Sequence, residues 1–226
     1  MKVQVIIATL LRDTLFRTLD SLKSQTCKDF VITTYTGGIN EYDARNRASE
    51  LYDTELIAFL DDDTYVPEDY IEKGIAYFND KNVMVLDTAI EGAMFPDIGN
   101  RWVRVDKPYL GIGTTLWVRR KAFNEVGKFK VDWGLGKKVS GWRSDTALLY
   151  DIIDKYGDHS YVHASDMVVY HPELMKSKFV REIEEQFYLK YKKYVIKYIF
   201  PIDPRTRQIA KDIDPEMADL EISINR

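Results

Sequence analysis

The chain contains one cysteine, Cys27, among 226 residues. A single thiol excludes an internal disulfide framework and a cysteine-based zinc site, and it fits a reducing cytoplasm. No run of about 20 apolar residues occurs, so no membrane span is expected. The opening Met1-Lys2-Val3-Gln4-Val5-Ile6-Ile7-Ala8 is too short, and lacks the small-residue cleavage pattern, to be a secretory leader. There is no basic excess: the formal net charge is −4, which excludes a global nucleic-acid footprint. No GxxxxGK[ST] or GxGxxG loop follows the first apolar run, which argues against the Walker and dinucleotide-binding folds. Histidines number only three, so any imidazole ligand must come from a very small set.

What remains is ordinary globular material, 45% hydrophobic and 30% charged, of a length suited to one large domain with an appendage. Apolar strand-like runs at 3–8, 30–35, 56–60 and 83–86 alternate with helical spacings over Leu15, Leu19 and Leu22, over Ala44, Ala48 and Leu51, and over 70–78. This alternation predicts parallel βαβ units. Asp13 is the expected N-cap of the first helix. Residues 87–108 show no clear period. Residues 109–118 read as a strand, with Gly111 and Gly113 permitting a close approach. A short helix over 121–126 stops at Gly127. The stretch 131–141, rich in Gly and Lys, reads as a loop whose glycines would allow closure over a substrate. A helix over 145–156 and a strand over 161–171 follow. From Lys176 a Tyr- and Lys-dense helix runs to the breaks at Pro201 and Pro204.

The chemistry gathers where Ile57-Ala58-Phe59-Leu60 runs into Asp61-Asp62-Asp63-Thr64. Carboxylates at the carboxyl end of a strand sit at the mouth of an open α/β sheet, where ligands bind. In extended backbone, positions i and i+2 share a side, so Asp61 and Asp63 can converge on a hard cation or a ribose. Asp62 points elsewhere unless the chain turns, and an Asp-rich turn is the plain alternative. His171, at the end of a strand, can complete a shell for Mn²⁺ or Mg²⁺, against the commoner case of a structural histidine. His159 and His163 carry no sign beyond that commoner case. Asp145, in Gly141-Trp142-Arg143-Ser144-Asp145 at a helix start, is either a cap or a general base kept anionic by the helix terminus. Arg45 opens a helix on the crevice side and suits a phosphate, while Arg47 reads as an exposed charge.

These pieces, in this order, resemble glycosyltransferase family 2 and its GT-A fold. Val5-Ile6-Ile7-Ala8-Thr9-Leu10-Leu11-Arg12 and Leu19-Asp20-Ser21-Leu22-Lys23-Ser24-Gln25-Thr26 look like the family's first strand and helix. Ala44-Arg45-Asn46-Arg47-Ala48 looks like its ARNxG-type segment, and Phe59-Leu60-Asp61-Asp62-Asp63 like its DXD motif. Gly113 to Gly127 is similar to the strand and helix beside the acceptor, Ser144-Asp145-Thr146-Ala147-Leu148 to the ED-type motif, and His171 to the late histidine. The resemblance covers about residues 3–172.

The resemblance implies a mostly parallel sheet flanked by helices, in a catalytic domain over 1–175 (nucleotide half about 1–108, acceptor half about 109–175) with a helical extension over 176–226. It implies an inverting, non-processive transfer from a nucleoside-diphosphate sugar to a carbohydrate, lipid-linked or protein hydroxyl, aided by Mn²⁺ or Mg²⁺. Thr9, Arg12, Arg45, Asp61 and Asp62 would serve the nucleotide sugar, with Asp61 toward the ribose. Asp63 and His171 would serve the cation, and Asp145 would be the base. Gly113 and Trp142 would lie on the acceptor side.

Three departures stand out. No acid follows the second strand, where Thr33-Thr34-Tyr35-Thr36-Gly37 stands. Ser144 replaces the Glu before the base. The Q-x-x-R-W signature of polymer synthases is absent. Two other readings compete. One is a lapsed GT-A-fold protein that binds nucleotide or carbohydrate without turnover. The other is a metal-dependent phosphatase of the haloacid-dehalogenase type, opposed by Tyr65, where that loop wants Thr or Val, and by the triplet's place on the third strand. In the tail, Tyr188, Lys190, Tyr191, Lys192, Lys193, Tyr194, Lys197 and Tyr198 would either rest on an anionic membrane surface or pack on the catalytic domain with their ammonium heads in water.

Overall fold

In the computed structural model, residues 1–93, 102–132, 143–172 and 179–217 are described. Trp142 and nearly all of the 131–141 loop lie outside them. Seven strands form one sheet: β1 (Val3–Ala8), β2 (Phe30–Tyr35), β3 (Leu56–Asp61), β4 (Val85–Ala93), β5 (Trp102–Val105), β6 (Trp117–Arg119) and β7 (Tyr161–His171). The helices are α1 (Thr14–Lys23), α2 (Glu41–Ala48), α3 (Tyr70–Tyr77), α4 (Arg120–Glu125), α5 (Ser144–Tyr156), α6 (Arg181–Tyr194) and α7 (Pro204–Ile213).

The sheet order is β2-β1-β3-β6-β4-β5, with β7 along the other edge of β4. β1 pairs in parallel with β2 and β3, and β4 with β7. β6 is antiparallel to both β3 and β4, and β5 is antiparallel to β4. The sheet is therefore mixed, yet β1, β2, β3, β4 and β7 all run the same way. Their carboxyl ends share one edge, which is what brings residues after β1, β3 and β7 together.

The central strands are mostly apolar because both faces are covered; the buried Gln4 of β1 donates to Thr33 Oγ1 and the Ala48 carbonyl. Val3, Val5 and Ile7 of β1 and Leu56, Ala58 and Leu60 of β3 pack with Leu15 and Leu22 of α1 and Tyr70 and Ile71 of α3. Ile6, Ile57 and Phe59 face the opposite layer, with Tyr42 of α2, Phe123 of α4, and Leu148, Leu149 and Ile152 of α5. Tyr188, Tyr191 and Tyr194 of α6 are buried in that second cluster. The tail lysines take acidic partners: Lys190 with Asp151, Lys192 with Asp214, and Lys193 with Asp154. The described part of the tail, 179–217, thus packs on the rest of the chain. Among the described residues, no helix is long and apolar enough to cross a membrane.

Some local expectations change. Residues 87–108 are not merely aperiodic: β4 continues to Ala93 and β5 follows. The polar Glu91 and the bare Gly92 hide the alternation there. Only residues 117 and 118 of the 109–118 run are strand, because Tyr109 (φ +66°) and Gly111 (φ +57°) turn the backbone left-handed and a 3-10 turn occupies 113–115. Asp13 stands at the N-cap position of α1 without a capping hydrogen bond. Asn40 caps α2 instead, its side chain accepting from the Asp43 amide at 2.9 Å.

Gly92 allows β7 to end where it does: a Cβ there would meet the His171 carbonyl oxygen at 1.9 Å. Gly92→Ala is expected to cost about 2–3 kcal/mol through forced displacement of β7, read as a lower urea midpoint at unchanged m-value.

Candidate active site

The loop after β1, the loop after β3 and the end of β7 meet at the common edge of the sheet. The β3 loop is fixed first. The Asp61 amide donates to Thr114 Oγ1 at 3.0 Å, and Thr64 Oγ1 donates to the Asp61 carbonyl at 2.9 Å. Tyr65 and Tyr170 exchange two backbone hydrogen bonds of 2.9 Å and stack their rings at 4.9 Å. That bridge carries His171 to the carboxylates. His171 Nε2 lies 3.2 Å from Asp63 Oδ1 and 3.7 Å from Asp61 Oδ2.

The i, i+2 geometry holds: Asp61 and Asp63 converge and Asp62 faces away. Ligand atoms of Asp61, Asp63 and His171 all lie within 4.8 Å of one another. Two carboxylates and an imidazole form a donor set for a hard or borderline divalent cation. The buried Asp63 Oδ1 and His171 Nδ1 make no well-formed hydrogen bond, so the cluster retains capacity to coordinate. The residues fit Mn²⁺ or Mg²⁺. Burial works against charge on His171, but Asp63 and then Asp61 hold its pKa above the usual imidazole value. Burial likewise works against the Asp63 anion, yet His171 and Arg12 keep its pKa below the usual carboxylate range.

Asp62 is buried and held by the first loop. Thr9 Oγ1 donates to its Oδ2 at 2.6 Å, and Arg12 donates to both oxygens through Nε and Nη2. Arg12 Nη1 also lies 3.7 Å from Asp63 Oδ2. Thr9 Oγ1 accepts from the Leu11 amide at 2.8 Å, which steadies Leu11 in a left-handed conformation, φ +60°. Thr9, Arg12 and Asp62 thus form one clamp between the β1 and β3 loops.

Arg45 is only 1% exposed. Its Nη2 donates to Asp61 Oδ1 and pairs with Glu41 Oε1 at 2.6 Å, while Nε and Nη1 have no partner. Burial alone would lower its pKa, but Glu41, Asp61 and Asp145 outweigh that and keep it cationic. Across from it, Asp145 stands in the first turn of α5, whose N-cap position is Arg143 in a left-handed conformation. Asp145 Oδ2 accepts from the Gly113 amide and Oδ1 from the Thr146 amide, each at 2.8 Å. Burial raises its pKa, opposed by those amides and by Arg45. A Cβ on Gly113 would strike Arg45 Nη1 at 2.4 Å and approach Asp145 Oδ2 to 3.4 Å, so glycine lets the two side chains border one space. Sequence reasoning missed Glu41 and Thr114. The i, i+4 spacing of Glu41 and Arg45 was a usable signal for the first; Thr114 had none.

Two outcomes separate the carboxylates. Asp63→Ala is expected to lose Mn²⁺ binding, read by electron paramagnetic resonance, with little change in melting temperature. Asp62→Ala is expected to cost about 2–3 kcal/mol of stability by stranding Thr9 and Arg12, read by chemical denaturation. Because a cation must displace the proton that Asp63 and Asp61 stabilise on His171, Mn²⁺ affinity is expected to rise with pH through the raised imidazole pKa.

Residues 40–130 match the family model described as Glycosyl transferase family 2. No curated protein matches the sequence. Among solved structures, S. aureus TarS is similar with a TM-score of 0.63 at 14% identity, covering 94% of this chain and 42% of that one. The TarS 1–349 structure in complex with UDP-GlcNAc gives 0.62 at 14% identity over 94% and 71% of the two chains. The same fragment alone gives 0.58 at 13% identity over 94% and 78%. The chain thus spans less than half of the first TarS chain, and at this identity the likeness is one of fold. The family match lies across β3, its carboxylate loop and Arg45: this part of the chain, less than half of it, is similar to glycosyl transferase family 2, and the fold is GT-A-like.

Proposed function

We propose that the protein transfers a sugar from a nucleoside-diphosphate sugar to a hydroxyl acceptor with inversion at the anomeric carbon. The observation that carries this reading is the convergence of Asp61, Asp63 and His171 on one edge of the sheet, with Asp145 across Gly113 and Arg45 from them. A donor's diphosphate fits beside the first group, and an acceptor hydroxyl fits beside the second.

In this reading Asp61, Asp63 and His171 hold Mn²⁺ or Mg²⁺, with Asp61 also toward the ribose. The bound cation neutralises charge that builds on the diphosphate leaving group. Thr9, Arg12 and Asp62 shape the nucleotide side, and the unpartnered Nε and Nη1 of Arg45 offer donors toward the donor sugar or its phosphates. Asp145 is the general base. Each of its oxygens accepts one amide, and a carboxylate oxygen can accept a second donor, so an acceptor hydroxyl can still approach. Its proton passes to Asp145 as the hydroxyl oxygen bonds to the anomeric carbon and the bond to the diphosphate oxygen breaks on the opposite face. Gly113 and Trp142 belong to the acceptor side. Residues 1–175 form the catalytic domain in this proposal, with 176–226 as a helical extension. The UDP-GlcNAc bound in the TarS structure makes a UDP-sugar the first donor to try.

Calorimetric titration with UDP, GDP, CDP and dTDP, each with and without Mn²⁺, tests the proposal. One nucleotide is expected to bind tightly with metal and to lose the metal-dependent part in Asp63→Ala. Binding of none would overturn the donor assignment, and binding without turnover would mark a lapsed enzyme. Asp145→Asn is expected to keep nucleotide affinity and lose turnover by about 10²–10⁴-fold. Because burial raises the Asp145 pKa, the acid limb of turnover is expected above the usual carboxylate range, with activity falling as pH drops through it. An unchanged limb in Asp145→Asn would remove Asp145 from the base role.

A further inference from the structure

A second acid–histidine cluster lies away from the cation site, on the face of β4 and β7 that α5 covers. His163 of β7 is paired in register with Asp87 of β4. Its Nδ1 lies 2.6 Å from Asp87 Oδ1, and its Nε2 lies 2.5 Å from Asp106 Oδ1, in the segment just after β5. A carboxylate can only accept, so both ring nitrogens must donate, and only the imidazolium has two N–H groups. In the neutral ring one lone pair would face an anion.

The surrounding groups make this a junction. The buried Asp87 also accepts from the Tyr161 hydroxyl at 2.8 Å. The Tyr161 oxygen in turn accepts from the Tyr109 amide at 2.7 Å. Thr146 Oγ1 donates to the Leu110 carbonyl at 2.6 Å, and the Tyr150 hydroxyl to the Tyr109 carbonyl at 3.1 Å. Arg104 of β5 binds Asp106 at 3.1 Å from the far side. Residues 106–113 are therefore strung between the Asp87–His163–Tyr161 group, through Asp106 and the Tyr109 amide, and Asp145, through Gly113. Two of them, Tyr109 and Gly111, hold left-handed backbone, which a non-glycine residue keeps only when its surroundings impose it.

We propose that His163 is a proton-operated clasp: as an imidazolium it ties β4 and β7 to the 106–113 segment and so positions the Gly113 amide against Asp145, and on losing its proton it releases that segment. Asp106, 35% exposed against 3% for Asp87, is the partner that leaves, toward Arg104 and solvent. His163 is a positioning residue here, acting on Asp145 through the chain. The hydrogen bond to Asp87 raises the His163 pKa above the usual value; burial opposes this, and Asp106 adds to it. A raised imidazole contributes its stabilisation fully below the unfolded value of about 6.5, and loses it as pH climbs through the folded value. The clasp is thus closed below the raised His163 pKa and opens as pH climbs through it.

The inference stands apart from the sugar-transfer reading, and its readouts need no substrate. Hydrogen exchange of the 106–113 segment, corrected for intrinsic rates, would be followed from pH 6 to 9 beside the ring-proton titration of His163 and the Gly113 amide. In the native protein, protection of 106–113 and of Gly113 is expected to fall at least tenfold along the His163 titration, while β1 amides do not follow it. His163→Gln is expected to show low protection with no step. Asp106→Asn is expected to keep protection across the range, because its amide can turn to donate to a neutral ring, and this arm decides alone if His163→Gln does not fold. A His163 midpoint at or below 6.5, a step that persists in Asp106→Asn, or a Gly113 amide that ignores the titration would each overturn the clasp.

Discussion

Three adjacent carboxylates at the end of a buried strand repel one another, and the structure around them is organised to offset that repulsion. Each acid has its own cationic partner from a different part of the chain. Asp61 takes the guanidinium of Arg45 from α2, Asp62 that of Arg12 from the β1 loop, and Asp63 the imidazole of His171 from β7. Buried carboxylates without such partners would take up protons rather than stay ionised. The division also sorts the acids by role in the fold. Asp62 is consumed by the Thr9–Arg12 clamp, whereas Asp61 and Asp63 keep atoms directed toward His171 and one another.

The same economy of cations operates across the crevice. Arg45 lies among the rings of Tyr42, Phe59 and Phe129 and faces Glu41, Asp61 and Asp145. One buried positive charge therefore stabilises acids on both sides of the site at once. Glycine at position 113 is the steric condition for it, since the guanidinium fills the space a side chain would need.

Much of this was legible in the sequence, for identifiable reasons. β1 and β3 announce themselves because strands buried on both faces are apolar at nearly every position, Gln4 of β1 and the terminal Asp61 of β3 being the exceptions. The pairing of Asp61 with Asp63, and the separation of Asp62, follow from the period of extended backbone. His171 stands out as one of few histidines, at a strand end. β5 escapes because a short antiparallel strand leaves no period, and β6 is read as starting too early because the left-handed turns at Tyr109 and Gly111 are invisible in an apolar run. Glu41, Thr114 and the Asp87–His163–Asp106 junction escape for a deeper reason. Their meaning lies in which distant strands become neighbours, and β4 joins β7 across more than 70 positions. A lone histidine reads as structural until that register is known.

The Tyr65–Tyr170 bridge links residues more than 100 positions apart, and it bears on how the protein is born. The acids of the β3 loop emerge early in synthesis, but His171 reaches them only after β7 has docked beside β4. A nascent chain that has emerged only through the β3 loop holds two of the three donors and lacks the one that closes the set. The donor set is thereby incomplete until β7 has joined the sheet, and its closure marks that distant strands of the fold have met.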